Sequence, residues 1–241
     1  MPAADSHADG GSPVRCQVWL AYLSDYRPAH RALLDEVELD RLRQYPVAAD
    51  RERFTVAAAL LRLVAGRRIG VAARQVAVDR SCPGCGRAHG KPVLRDASAP
   101  YVSVSHSGEL VAVAVTDAAP IGVDVEAVVE RDHAALATTF LAATETVDGA
   151  SGFYTLWTRK EAVVKATGDG LRMPLRQVLV GDPAGPARLV GYGDEVLPGC
   201  LRDLSLEPGY AGAVAVLADG SLEVELCRGD GVLAGWNPAE R

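Results

Sequence analysis

Trp157-Thr158-Arg159-Lys160-Glu161-Ala162-Val163-Val164-Lys165 is the stretch from which the rest of this 241-residue chain is read. Ala, Val, Lys and Glu follow one another with no Gly or Pro until Gly168. A helix is expected, with Gly168 as its C-terminal stop. Residues four apart share a helix face. Trp157, Glu161 and Lys165 therefore line up as an aromatic anchor, an acid and a base. Alone, such a Glu–Lys pair is a solvated helix pair worth about 0.3–0.5 kcal/mol.

A second acidic pair upstream changes that reading. In Pro120-Ile121-Gly122-Val123-Asp124-Val125-Glu126 the apolar residues alternate, which gives a short strand with Asp124 and Glu126 on one face. Two neighbouring carboxylates repel, so they need a cation or a water-filled edge. Asp124, Glu126 and Glu161 together offer three hard oxygen ligands, a set that suits Mg²⁺ with open positions for phosphate oxygens. The bland alternative is an exposed strand end with ordinary surface acids.

The two segments together resemble the signature of the 4′-phosphopantetheinyl transferases, G-[VI]-D-[VI]-E and then W-[STC]-x-K-E-[AS]-x-x-K. The chain supplies both without a gap, about thirty residues apart. The similarity is to the monomeric, two-lobed type that activates the peptide and polyketide synthases of antibiotic-type secondary metabolism. It implies an α+β fold of two similar lobes related by a pseudo-twofold axis. Each lobe would be a helix packed on a small, mainly antiparallel sheet, with the active site in the cleft between them. It also implies transfer of the 4′-phosphopantetheine arm from coenzyme A to a serine of an apo acyl or peptidyl carrier protein, with Mg²⁺ as cofactor and adenosine 3′,5′-bisphosphate as leaving group. In that scheme Asp124, Glu126 and Glu161 hold the metal, and Glu161 takes the serine proton directly or through water. Lys165 steadies phosphoryl oxygens or the leaving group. His89-Gly90-Lys91-Pro92 matches the family's [HYN]-G-K-P segment, whose lysine meets a coenzyme A phosphate. Ser105 and His106, within Ser105-His106-Ser107, would hold the 3′-phosphate. Arg41, Arg43, Arg51 and Arg53 flank a helix break at Pro46, where the family contacts phosphate; Arg53 and then Arg41 are the candidates. Glu145 fits an [ST]-x-x-E acid near the metal, and Gly168-Asp169-Gly170-Leu171 resembles the family's G-x-G-L turn.

Composition agrees with a globular enzyme. Apolar residues make up 49% of the chain, and no apolar run approaches the roughly 18 residues of a membrane span. The net charge of −6 counts against a nucleic-acid binder. Residues 1–13 lack a basic start and an apolar segment, so they read as a flexible tail and not a signal peptide. Five scattered cysteines argue against a disulfide framework and for the cytoplasm. Cys82-Pro83-Gly84-Cys85 with His89 is half a zinc site, which His106 would complete only if the fold brought it there; a plain reduced turn is expected.

The remaining segments suggest a repeat. A strand is expected over 16–23, a helix over 30–44, and a second helix over 48–65 with Phe54, Ala57, Ala58, Leu61 and Val64 at helical spacing. A short strand follows over 75–79, then a strand pair over 102–108 and 110–116, and a helical stretch between Val128 and Gly149. Phe54 precedes Val113 of a Val-Ala-Val strand by 59 residues (113 − 54), and Tyr154 precedes Val214 of another by 60 (214 − 154). Each such strand is followed by an Asp turn and a second alternating segment, Ile121–Glu126 or Leu222–Leu226. Lobes are therefore expected over 14–119 and 120–227, with a loose tail over 228–241. Two lobes in one chain make a monomer sufficient.

Rival functions use part of the same residues. A Mg²⁺-dependent phosphohydrolase of coenzyme A or a nucleotide would need the acids but no carrier. A coenzyme A-binding module would need neither all three acids nor both lysines. Ser105-His106-Ser107 also invites a hydrolase reading, but the G-x-S-x-G elbow is absent and no adjacent acid orients His106.

Overall fold

The computed structural model describes residues 12–96, 98–130 and 133–238, so residues 1–11 of the expected tail lie outside the described residues. The chain opens with strand β1 (Val14–Tyr22) and a 3₁₀ segment (Pro28–Leu33), followed by helices α1 (Glu36–Gln44) and α2 (Ala48–Ile69). Short strands β2 (Val78–Asp79) and β3 (Val93–Leu94) pair with each other. Next come β4 (Tyr101–Ser107), β5 (Leu110–Thr116), β6 (Ile121–Ala127), helix α3 (Ala134–Phe140) and helix α4 (Gly149–Thr167). The chain continues through β7 (Val178–Val180), β8 (Leu189–Tyr192), β9 (Cys200–Asp203), β10 (Tyr210–Val216), β11 (Leu222–Arg228) and helix α5 (Asp230–Ala234).

The strands form two principal sheets, ordered β11-β1-β5-β4 and β6-β10-β9. All their pairings are antiparallel except β1 with β11. Period-2 alternation sorts the side chains. Val111, Val113 and Val115 face α2, whereas Leu110, Ala112 and Ala114 meet Ile121, Val123, Val125 and Val214 between the sheets. Ala213 and Ala215 turn the other way and pack with α4. The result is four layers, helix on sheet on sheet on helix, an α+β fold built from two like halves.

Helix α2 departs from the expected amphipathic pattern, since every residue from Phe54 to Gly66 is buried. The sheet covers one side; the 3₁₀ segment, α1 and α5 cover the others. Its one charge in that run, Arg62, is satisfied inside: Nε donates to Glu38 (2.9 Å), Nη1 to Val76 O (2.6 Å) and Nη2 to Asp35 (2.5 Å). Arg80 binds the other oxygen of Glu38. The single helix expected over 30–44 is instead a 3₁₀ turn and α1, because Asp35 caps α1 by accepting from Glu38 N. Of the strand expected over 75–79 only β2 forms. Residues 228–241, expected as a loose tail, include α5, whose Val232 and Leu233 are buried beside α2. Gly168 ends α4 as expected, with φ +80°.

Candidate active site

Strand β6 and helix α4 touch at Gly122. A Cβ there would stand 1.9 Å from Ala162 O and 2.4 Å from Ala166 N, so only glycine allows the helix this close to the strand. Two and four residues further along the same face, Asp124 and Glu126 reach toward α4, which supplies Glu161 and Lys165. Strand β4 closes the other side by an unusual seam. Ser103, Ser105 and Ser107 accept through their hydroxyls from Val123 N, Val125 N and Ala127 N, where a sheet would use backbone carbonyls. The residue numbers rise together, so β4 and β6 run side by side in one direction.

Asp124 is almost fully buried. Its Oδ1 accepts from Lys165 Nζ (2.6 Å) and from the Ser105 hydroxyl (2.8 Å), and its Oδ2 is buried without a protein partner. Glu126 accepts from Ser107 (2.6 Å). Burial, and after the Ser107 bond the charge of Asp124, bear on the Glu126 carboxyl and push it above the ordinary range. Burial first and Asp124 second do the same to Glu161. Three carboxylates facing one ammonium leave two negative charges uncompensated, and a buried oxygen is left over. That donor set fits a divalent hard cation. The three acids do not converge on one point: among the described residues only Cys82, Cys85 and His89 bring three ligand atoms within 4.8 Å of one another. An open carboxylate set suits Mg²⁺, which keeps several waters.

The other expected residues divide. Ser105 lies at the site, but its hydroxyl is spent: it donates to Asp124 and accepts from Lys165 Nζ (2.9 Å) and Val125 N (3.3 Å). It positions the acid and lysine and, in this arrangement, has no capacity for a phosphate. His106 lies on the rim with one edge in solvent and the rest of its ring hemmed in by protein; that burial, then Arg53 and Lys165, lower its pKa to about 4, so its ring is neutral. Arg53 donates from Nε to Gly108 O (2.8 Å) at the β4–β5 turn and pairs with Asp50. Lys91 reaches α4 and donates to Ala166 O (3.1 Å), with burial lowering its pKa to about 8. Arg41 stacks over Phe54 and Arg51 binds the carbonyls of Tyr45 and Pro46, so both serve the α1–α2 junction, while Arg43 makes an exposed pair with Asp40 within α1.

Glu145 is no part of the acid cluster. It accepts from Lys160, whose fully buried ammonium also donates to Phe140 O (3.0 Å) and Leu175 O (3.1 Å). Arg159, equally buried, binds Asp203 with two bonds and the carbonyls of Gly181, Asp182 and Gly185. Sequence reading gave these two cations no task. The signal was present: 159, 160 and 161 point in three directions on a helix, so some of those charges had to turn inward.

The model of the 4′-phosphopantetheinyl transferase superfamily matches residues 120–215, which carry β6 and α4. The 4′-phosphopantetheinyl transferase HetI of Nostoc sp. is 32% identical over 170 residues, covering 66% of this chain and 69% of HetI. The chain belongs to the 4′-phosphopantetheinyl transferase superfamily. The 4′-phosphopantetheinyl transferase psf-1 of Bacillus pumilus is 32% identical over 158 residues, 62% of this chain and 67% of psf-1. Sfp of Bacillus subtilis, another 4′-phosphopantetheinyl transferase, is 29% identical over 133 residues, 52% and 59% of the two chains. Membership in the superfamily gives the β6–α4 unit its meaning, since the matched segment is the one that places Asp124, Glu126, Glu161 and Lys165 together. No helix among the described residues is long and apolar enough to cross a membrane.

Proposed function

We propose that this transferase moves the 4′-phosphopantetheine arm of coenzyme A onto a serine of an apo acyl or peptidyl carrier protein, with Mg²⁺ held by Asp124, Glu126 and Glu161. The observation that carries the reading is Asp124, one oxygen fixed by Lys165 and Ser105 and the other buried without a partner between two further carboxylates. When bound, the ion would neutralise charge on the pyrophosphate as the bisphosphate leaves. Lys165, held on Asp124, would steady phosphoryl oxygens. Glu161 accepts the proton of the carrier serine directly or through a water, as the serine–phosphorus bond forms and the bond to adenosine 3′,5′-bisphosphate breaks. Lys91, Arg53 and the neutral His106 line the phosphate side. The protein offers no nucleophile of its own because the carrier supplies it. The same reading sets the lobes at 14–119 and 120–227, meeting along β4 and β6, with β11 crossing back to pair with β1 of the first lobe and one protomer holding a whole site.

The test is the intact mass of an apo carrier protein incubated with this chain, coenzyme A and Mg²⁺. A gain of one phosphopantetheine arm that EDTA abolishes is expected. Coenzyme A cleaved without labelling would make the protein a phosphohydrolase, and coenzyme A bound but unchanged across acyl and peptidyl carriers would make it a binding module.

A further inference from the structure

The loop between β2 and β3 carries a second, chemically different donor set. Cys82, Cys85 and His89 bring two sulfurs and a ring nitrogen within 4.8 Å of one another, with Cys85 Sγ 3.0 Å from His89 Nε2. The backbone builds this cluster. Gly86 N donates to Cys82 O (2.8 Å), Cys82 N to Arg87 O (2.8 Å) and His89 N to Arg87 O (2.9 Å), which winds the chain into a tight knuckle with Gly86 at φ +72°. The knuckle sits on a fixed base. Gly90 N donates to Arg80 O (2.7 Å), a Cβ at Gly90 would stand 2.7 Å from Ser81 O, and Arg80 is anchored on buried Glu38. All five cysteines are free, so neither thiol is committed to a disulfide. His106, the residue the sequence offered as a completing ligand, is not in the cluster.

We propose that Cys82, Cys85 and His89 bind a borderline-soft divalent metal of the zinc class, with a solvent molecule as the fourth ligand. Two thiolates and an imidazole are the donors zinc selects over Mg²⁺ or Ca²⁺. A tetrahedral zinc with bonds of about 2.0–2.3 Å holds its ligand atoms roughly 3.5–3.8 Å apart. The present spacing reaches this by small side-chain rotations at exposed positions. The site has a structural consequence. His89 is two residues from Lys91, whose ammonium rests on Ala166 O next to Lys165. A metal on His89 therefore ties the lysine-bearing segment to the knuckle and fixes its approach to α4. This site is independent of the acid cluster, where only oxygen donors meet.

The full-length, tag-free chain, reduced and kept anaerobic, is titrated with Co²⁺ and then with Zn²⁺. One equivalent of Co²⁺ is expected to give thiolate-to-cobalt charge-transfer absorption, which Zn²⁺ discharges and a large excess of Mg²⁺ does not. Cys82→Ser and Cys85→Ser remove the band, His89→Ala weakens Co²⁺ at least about tenfold, and Cys227→Ser leaves binding unchanged. The three variants should melt within a degree or so of the metal-free parent, since these side chains are exposed or half-buried. No band at one equivalent, or a band that survives Cys85→Ser, overturns the proposal. So does a fully reduced chain that takes up no Co²⁺.

Discussion

At the scale of single residues, the acid cluster trades stability for function. A carboxyl whose folded pKa stands above its unfolded value stabilises the fold fully below the unfolded value and loses that contribution as pH rises through the folded one. Glu126 and Glu161 both belong to this class, so at neutral pH without metal each charge opposes the fold. Glu161→Gln is therefore expected to raise the melting temperature of the metal-free protein by up to a few degrees. The same change should lower carrier labelling by about 10²–10³-fold, the loss typical of one preorganised electrostatic group. Parallel melts in EDTA and mass-based labelling assays check both halves; an unchanged melt would show that Glu161 is not under electrostatic pressure. Lys91 gives a pH signature. Its ammonium, with pKa about 8, is protonated at pH 7 and largely neutral at pH 9. Coenzyme A affinity should fall between those values by calorimetric titration. Lys91→Arg should flatten the profile, because a guanidinium stays charged throughout. Spacing put Asp124 with Glu126 on one strand face and Glu161 with Lys165 on one helix face, whereas a role for Lys91 came only with the family resemblance. Neither revealed that Ser105 spends its hydroxyl on Asp124 and Lys165, because which partner saturates a hydroxyl depends on a strand twenty residues away.

At the scale of elements, the site depends on two close approaches. Gly122→Ala drives a methyl to 1.9 Å from Ala162 O, backbone that cannot rotate away. Separating α4 from β6 should cost about 3 kcal/mol or more, at the upper end of overpacking effects, in urea denaturation. Labelling should fall even in the fraction that folds, because Glu161 and Lys165 move relative to Asp124. The serine seam supplies a matched pair. Ser103→Ala leaves Val123 N without its acceptor, at about 1–3 kcal/mol, and touches no acid. Its activity at a permissive temperature should equal the parent's. Ser105→Ala should cost similar stability and also labelling, since Asp124 and Lys165 lose their common partner. Equal activities for the two variants would remove Ser105 from the positioning machinery. The strands and helices that carry the site were legible from alternation and from Gly168, whereas β3, β7, β8, β9 and α5 were not. The seam was not, since Val102-Ser103-Val104-Ser105 reads as an ordinary half-buried strand whose polar face meets water. Helix α2 likewise showed only its expected stripe, because small residues off it such as Ala59 and Ala65 do not announce how many neighbours will crowd them.

At the scale of the whole molecule, the halves are interlocked by strands that leave their own sequence neighbourhood. The repeat read from Phe54–Val113 and Tyr154–Val214 gave two like units, but the two Val-Ala-Val strands differ in register: Val113 faces α2, whereas Val214 turns between the sheets and Ala213 and Ala215 face α4. Sequence spacing alone did not reveal that β11 returns to pair in parallel with β1 over Val14–Leu20, because strand pairing across two hundred residues leaves no local mark. The return carries α5 with it, and α5 seals the outer side of α2. Leu222 is buried between the sheets, and Val232 and Leu233 are buried against α2. Three apolar side chains of that size are worth about 1.5–3 kcal/mol each, or roughly 5–9 kcal/mol together, against a total stability of about 5–15 kcal/mol for a domain. The edge of β1 would also lose its ladder of backbone bonds and stand open to other chains. Ending the chain after Asp219 should therefore unfold or aggregate the protein instead of trimming a tail. Loss of the far-UV circular dichroism signal and rapid cleavage within α2 by a nonspecific protease are the expected readouts. Because α2 and α4 pack on opposite outer faces of the same double sheet, the damage should reach Lys165 and the acid cluster although none of those residues is removed. A truncated chain that kept a protease-resistant α2 and normal metal-dependent labelling would show that the first sheet closes without β11.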